Sequence, residues 1–460
     1  MRAQKRCHYE KVLTIYVKRL DLSRYIGHRC GVASNEFLND LELRGLIFDS
    51  TDREVLDQRL SEKPITLYCG FDPTADSLHV GSLLPLLLLR RFQDAGHRVI
   101  SLAGGATGMV GDPSGKSEER NLLDEETLSH NVEAIASQMK SFIKLEDGTS
   151  SATGASMLLN NLEWTSNVNV LDFLRDVGKH VTVGTMLGKE SIRARLESDQ
   201  GISFTEFSYM LLQANDFYEM YQRYDCEMQV GGSDQWGNIT AGIDLIRRRI
   251  GGTAYGLTVP LITRSDGGKF GKTAEGTIWL DPKRTLPYQL HQYFLNTDDK
   301  DVEKMLLQLT LLKVEEIQEV LTEHQKDPSL RLGQRRLADE VCTLVHGVEE
   351  KEKAVLAAEI LFGEILPSNE NLEAVRGIIP ETSISREKLQ EIESLVNALA
   401  ESGLCKSKGD ARRTIKGGGV SVNGIRQDPE NSELSQELLE DAHFILLQKG
   451  RRSRHLLIIS

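Results

Sequence analysis

His79 stands in the stretch YCGFDPTADSLHVGSLL (residues 68–84), where an apolar strand gives way to a leucine-rich helix. Asp72, Thr74 and Asp76 share its polar bend. A helix starting at Gly81 would turn unpaired backbone N–H groups and the positive end of its dipole toward an anion. Gly81 leaves room for close approach, and His79 and Thr74 stand beside it as donors. Triphosphate binding suits this bend; a capped helix with a surface histidine is the plain alternative. A second loop, GGATGMVGDPSGKSEER (104–120), carries the cations Lys116 and Arg120. Val110 stands where a Walker A loop needs glycine, and Ala103 where the dinucleotide fingerprint needs one, so neither large phosphate-binding class is met. A third, ITRSDGGKFGKTAEG (262–276), sets Lys269 and Lys272 among Gly267, Gly268, Gly271 and Gly276. Such a loop can close over phosphates and stabilise charge that develops in a transition state. A hairpin tip with solvated lysines is the bland counterpart.

A different chemistry lies in FTEFSYMLLQANDFYEMY (204–221). Tyr209, Gln213 and Asp216 fall at i, i+4 and i+7, on one face of a helix. Beside Leu211, Leu212 and Phe217, a phenol, an amide and a carboxylate are costly to bury without partners. That is the makeup of a pocket wall for a small polar ligand, or else of a helix with its polar side in water. In CEMQVGGSDQWGN (226–238) a strand carrying Gln229 ends at Gly231-Gly232, and Ser233, Asp234 and Gln235 begin a helix. Asp234 suits ribose hydroxyls; a simple N-cap is the alternative.

The elements that must hold these groups alternate. Strands are expected at 65–70, 98–103, 157–161 and 226–230, and helices at 82–95, 168–178, 204–223 and 234–250. Alternation of this kind implies an α/β fold, a Rossmann-like doubly wound parallel sheet with ligands at the carboxyl ends of its strands. Residues 34–285 form this part, including the KFGKT loop. Residues 286–360 turn helical and charged. Residues 361–390, with Gly363, Pro367, Gly377 and Pro380, read as linker, and 391–460 as a small α+β module.

The chain has 460 residues, 40% hydrophobic and 27% charged, as expected of a soluble globular protein. Its net charge of −13 argues against non-specific nucleic-acid binding by the whole molecule but not against local basic patches. Cysteines 7, 30, 69, 226, 342 and 405 show no C-x-x-C pair, which disfavours disulfides and zinc and suits a reducing cytoplasm. No apolar run spans the roughly 20 residues a bilayer requires. Residues 1–33 carry eight Lys or Arg against two acidic residues, as a transit peptide or a misassigned start would.

Together these stretches resemble the bacterial-type tyrosyl-tRNA synthetases, class I aminoacyl-tRNA synthetases, from about residue 34 to the C-terminus. HVGS (79–82) is similar to the HIGH signature and KFGKT (269–273) to KMSKS; their order, with QGISFTEFSYMLLQ and QVGGSDQWGNIT between them, carries the match. The resemblance implies an activity that makes tyrosyl-adenylate from L-tyrosine and ATP, then transfers tyrosine to tRNA(Tyr). Tyr68 and Asp216 would hold the phenol. Asp112, Tyr209 and Gln213 would surround the ammonium group, with Gln229 close by and Gln235 near the reacting carboxylate. Thr74 and His79 would stabilise the γ-phosphate side, and Lys116, Arg120, Lys269 and Lys272 the departing pyrophosphate. Asp72, Gly81, Ser82, Gly232, Asp234 and Lys272 would line the ATP site.

ATP, with Mg2+, would be a substrate, with no tightly bound cofactor, no protein metal site and no membrane partner. Ser82 replaces the second signature histidine, and Phe270 and Gly271 replace the KMSKS methionine and serine. LCKSKGDARRTIKGGGVSVNG (404–424) resembles an S4-like RNA-binding fold, with Lys406, Lys408, Arg412, Arg413 and Lys416 around one helix. Lys449, Arg451, Arg452 and Arg454 form a second basic cluster. The 286–360 helices would read the anticodon, and the family implies a homodimer. A non-catalytic RNA-binding relative is the rival, separable by tyrosine- and ATP-dependent exchange. Tryptophan activation fits the Asp216–Tyr68 pair less well.

Overall fold

The computed structural model describes residues 36–114, 123–144, 156–196, 201–263, 265, 270–273, 276–392, 394–427, 434, 440–450 and 453–460. Residues 1–33, Lys116, Arg120 and Lys269 lie outside the described residues, as does the side chain of Lys272.

Six strands form the central sheet: β1 (Asp49–Ser50), β2 (Thr66–Phe71), β3 (Arg98–Ala103), β4 (Met157–Asn160), β5 (Cys226–Gly232) and β6 (Tyr255–Val259), in the order β1-β6-β5-β2-β3-β4. Neighbours from β6 to β4 run parallel. The expected doubly wound sheet is present, with β1 added as an antiparallel edge, Asp49 opposite Thr258. From β2 the chain winds outward through β3 to β4, then returns to the other side of β2 for β5 and β6. That reversal opens a crevice at the carboxyl ends of β2 and β5.

Period-two alternation explains how the sheet is covered on both faces. Leu67, Cys69 and Phe71 pack with the leucines of α1 (Leu83–Asp94). Tyr68, Ile100 and Leu102 face the other way, onto Phe217 and Met220 of α2 (Phe204–Tyr224) and Ile246 of α3 (Trp236–Ile250). Ser203 starts α2 by accepting the Glu206 N–H at 3.2 Å, which sets the phase of the polar face.

A short hairpin follows, β7 (Lys272–Thr273) with β8 (Gly276–Thr277), then α4 (Pro287–Leu295), α5 (Asp299–Leu309), α6 (Val314–Lys326), α7 (Leu332–His346) and α8 (Val348–Phe362). The helical region is therefore as expected. It has no core of its own up to α7, however: Leu290, Phe294, Val302, Leu306, Ile317 and Leu337 belong to the cluster that holds Leu67 and Val99.

The C-terminal sheet has the order β11 (Ile425–Arg426), β10 (Val420–Val422), β12 (Phe444–Lys449), β13 (Ser453–Ile459), β9 (Glu381–Ile384). Ile445 and Leu447 face its own helices, whereas Leu446 and Leu456 pack on Ala357, Ile360 and Leu361 of α8. Residues 361–390 depart from the linker reading. Leu372 and Val375 are fully buried in that second cluster, and β9 pairs parallel with β13. Proline and glycine there mark turns between packed pieces, and the two buried apolar residues, spaced i and i+3, outweigh them.

Candidate active site

A cavity of about 300 Å³ fills the crevice between β2 and β5. Tyr68, Asp72, Thr74, His79, Ser82, Asp112, Tyr209, Gln213, Asp216, Gln229, Gly232, Asp234 and Gln235 all line it. Four segments distant in sequence thus converge on one space.

The closed end is built around Asp216, 3% exposed. Its Oδ1 accepts from Trp164 Nε1 at 2.7 Å and its Oδ2 from Asn161 Nδ2 at 2.9 Å. Burial pushes the carboxyl up to about 7, and the two donors oppose that rise. Tyr68 is equally buried; its hydroxyl titrates well above the usual phenol range because of burial and the nearby Asp216 charge. Neither the Tyr68 hydroxyl nor Gln229 Oε1 has a partner among the described residues. Buried polar atoms of this kind facing a cavity call for a ligand that donates and accepts. The polar face of α2 is accordingly a pocket wall, not a solvated one.

Tyr209 donates its hydroxyl proton to Asp72 Oδ2 at 3.0 Å, and Thr107 Oγ1 donates to Asp72 Oδ1 at 2.9 Å. Asp72 lines the same cavity, and its carboxylate accepts from both hydroxyls, since a buried phenol must have an acceptor. Asn161 closes the circuit. Its Nδ2 also donates to Thr107 Oγ1 at 3.0 Å, and its Oδ1 accepts from the Ala106 N–H at 2.7 Å. The glycine-rich GGATG turn serves this network. A Cβ on Gly104 would lie 2.4 Å from Asp72 Oδ1 and 2.5 Å from Thr107 Oγ1.

A second network joins Asp112, Gln213 and Gln235. Gln235 Nε2 donates to Asp112 Oδ2 at 2.6 Å, Gln213 Nε2 to Gln235 Oε1 at 3.2 Å, and Asn238 Nδ2 to Gln213 Oε1 at 3.0 Å. Thr107, Asn161, Trp164 and Asn238 were missed in the sequence. The nearest signal was the polar pair Asn160-Asn161, read only as the end of the strand expected at 157–161.

The open end holds the exposed residues Thr74, His79 and Asp234. His79 Nδ1 accepts the Gly81 N–H at 3.0 Å, so that N–H is not held open for an anion as expected. The glycine answers to the imidazole instead: a Cβ on Gly81 would lie 2.7 Å from His79 Cε1. The helix proper begins at Leu83, after a single 3-10 turn, Val80–Ser82. Gly271 and residues 278–280 lie against this bend. Val80 N–H donates to Ile278 O at 3.1 Å, and Leu280 N–H to Leu78 O at 2.8 Å. Phe270 packs on Tyr293 and Phe294, and Gly271 takes φ +75° with Val80 Cγ2 only 2.6 Å from where a Cβ would sit. Phenylalanine and glycine at these two places are thus set by packing.

In the C-terminal sheet domain, α9 (Lys408–Lys416) buries Ala411 and Ile415 and exposes Lys408, Arg412, Arg413 and Lys416, with Lys406 exposed just before it. The second basic cluster is different. Lys449 Nζ pairs with Asp410 at 2.8 Å and Arg454 donates to Leu361 O, so both serve the fold; Arg451 and Arg452 lie outside the described residues.

Comparison with known proteins agrees with this architecture. Residues 60–363 match the family model "tRNA synthetases class I (W and Y)", and residues 372–457 match "Tyrosine--tRNA ligase SYY-like C-terminal domain". The chain therefore belongs to the class I tRNA synthetases of the tryptophan and tyrosine group. The tyrosine–tRNA ligase of Opitutus terrae is 50% identical over 90% of this chain and 98% of its own length. That of Roseiflexus castenholzii is 49% identical over 91% and 98%. Within the class, the chain is a member of the tyrosine–tRNA ligase family. The structure of a C-terminally truncated Aspergillus nidulans mitochondrial tyrosyl-tRNA synthetase superposes with a TM-score of 0.64 at 32% identity, over 77% of this chain and 100% of that one.

Proposed function

We propose that the cavity binds L-tyrosine at its closed end and ATP, as its Mg2+ complex, at its open end. The substrate carboxylate attacks the α-phosphorus; the bond from that phosphorus to the bridging oxygen breaks, and pyrophosphate leaves with the electron pair. The 3′-terminal ribose hydroxyl of tRNA(Tyr) then takes the tyrosyl group and releases AMP. No protein base or nucleophile is required, because the chain contributes position and charge.

The observation that carries this reading is the buried Asp216 carboxylate beside the unpartnered Tyr68 hydroxyl at the cavity's end. A phenol can donate to the carboxylate and accept from the hydroxyl, whereas phenylalanine would leave the Tyr68 hydroxyl unpaired and add no donor to Asp216. Asp112, Tyr209, Gln213 and Gln229 are the groups proposed around the ammonium, with Gln235 at the carboxylate. Thr74, His79, Ser82, Gly232 and Asp234 are those proposed for ATP, with Lys116, Arg120, Lys269 and Lys272 on the pyrophosphate. RNA contact falls to Lys406, Lys408, Arg412, Arg413 and Lys416, whose exposure along one helix supports it. Among the described residues no helix is long and apolar enough to cross a membrane. Cys69, Cys226, Cys342 and Cys405 are buried free thiols, as suits a reducing cytoplasm.

Self-association rests on an apolar surface. Phe173, Val177, Met186, Phe207 and Met210 pack residues 170–187 against the start of α2. The same two segments expose Val170, Leu171, Leu174, Val183 and Phe204, with Leu171 and Phe204 each 77% exposed. An apolar surface of this kind suits a two-fold interface with a second copy. Exchange of pyrophosphate into ATP, assayed with each of the twenty amino acids in turn, tests the activity. Exchange with tyrosine alone supports the reading; no exchange with any points to the non-catalytic relative.

A further inference from the structure

The geometry points to Trp279 as a positioning residue for the His79 imidazole, held in place by Arg284 and Asp76. This rests on the reading of His79 as a group on the ATP side and adds the part of the chain that aims it.

His79 and Trp279 face each other as an antiparallel bridge between the helix-start bend and the segment after the β7–β8 hairpin. The bridge is closed by the bonds of Val80 N–H to Ile278 O and Leu280 N–H to Leu78 O. The two rings meet edge to face, with centroids 6.4 Å apart at 62°. His79 is exposed, and an exposed imidazole keeps much of its rotamer freedom unless neighbours hold it. The Gly81 N–H on Nδ1 at 3.0 Å and the indole beside the ring both restrict that freedom. With Nδ1 occupied as an acceptor, Nε2 is the nitrogen that carries the proton in the neutral ring.

Trp279 is itself held from behind. Its backbone N–H donates to the buried Thr285 Oγ1 at 2.9 Å. The Arg284 guanidinium lies 4.7 Å from the centre of the indole ring, and Arg284 forms an ion pair with Asp76, three residues before His79. A loop runs from Asp76 through Arg284 and Trp279 back to His79. It ties the orientation of the imidazole to the seating of the hairpin that carries Lys272. Since a small misplacement of a transition-state group has a large effect on rate, the indole matters to kcat without touching substrate.

The test is a double-mutant cycle in the full-length protein, read by tyrosine-dependent ATP–pyrophosphate exchange with kcat and both KM values. Trp279→Ala should lower kcat roughly tenfold and leave the tyrosine KM unchanged, and Trp279→Phe should restore most of the rate. In a His79→Ala background, Trp279→Ala should add no further loss. Multiplying losses, or an unaltered kcat in Trp279→Ala, would overturn the proposal while His79 keeps its role. Wild-type exchange by His79→Ala would remove that role and the proposal together. Should Trp279→Ala not fold, Arg284→Gln tests the same loop. A kcat loss that vanishes in the His79→Ala background supports it, and an undiminished kcat overturns it.

Discussion

The two ends of the cavity are built by opposite means. At the closed end Asp216, Tyr209, Asn161 and Asp72 are tied by side-chain hydrogen bonds on rigid elements, and burial shifts the titration of Asp216 and Tyr209. At the open end Thr74, His79 and Asp234 are exposed, and their geometry comes from bends and a docked hairpin. The difference matches the two tasks. Discriminating a small amino acid needs dry, fixed partners whose loss is costly. Handling a triphosphate needs charge that can be brought up at the moment of reaction.

The largest effect should come from the closed end. Asp216→Ala strands the Asn161 and Trp164 donors and removes the carboxylate offered to the phenol, so kcat/KM for tyrosine should fall about a thousandfold with little change in the KM for ATP. Wild-type exchange by this variant would refute the pocket. Lys269→Ala or Lys272→Ala should come next, lowering kcat roughly a hundredfold while the tyrosine KM stays put. A matching rise in that KM would erase the contrast between the ends.

Reversing Arg412 and Arg413 to glutamate should weaken tRNA charging about tenfold and reduce its log–log salt slope by about 2, with exchange untouched. Lys449→Ala, which breaks the Asp410 pair inside the domain, should leave that slope alone.

The smallest effect is a pH dependence. Asp216 accepts best when ionised, so kcat/KM for tyrosine should decline as pH falls through about 7. Trp164→Phe removes a donor that favours the ionised form and should move the midpoint upward. A midpoint unmoved by that change would separate the profile from Asp216.

Most of the scaffold was legible because it depends on local pattern. The phase of Tyr209, Gln213 and Asp216, the strand before His79 and the leucine helix after it need only periodicity. What escaped depends on contacts across the chain. Asn161 sits 55 residues from Asp216 and nothing around it marks its three simultaneous bonds. Gly81 was read as space for a ligand, when its own neighbour two residues back fills that space. The basic look of Lys449 and Arg454 gave no hint that one pairs with Asp410 and the other caps Leu361. Strand β6, five buried residues between Gly252 and Pro260, has no polar alternation to announce it.

The two-faced C-terminal sheet has a practical corollary for anyone shortening this chain. Cutting it before residue 372 strips the cover from Ala357, Ile360 and Leu361, leaving a greasy stripe on the last helix of the remaining body. Such a fragment should clump unless those positions are replaced by polar side chains. Poor solubility of an unmodified truncation would then report on bare α8, not on lost chemistry.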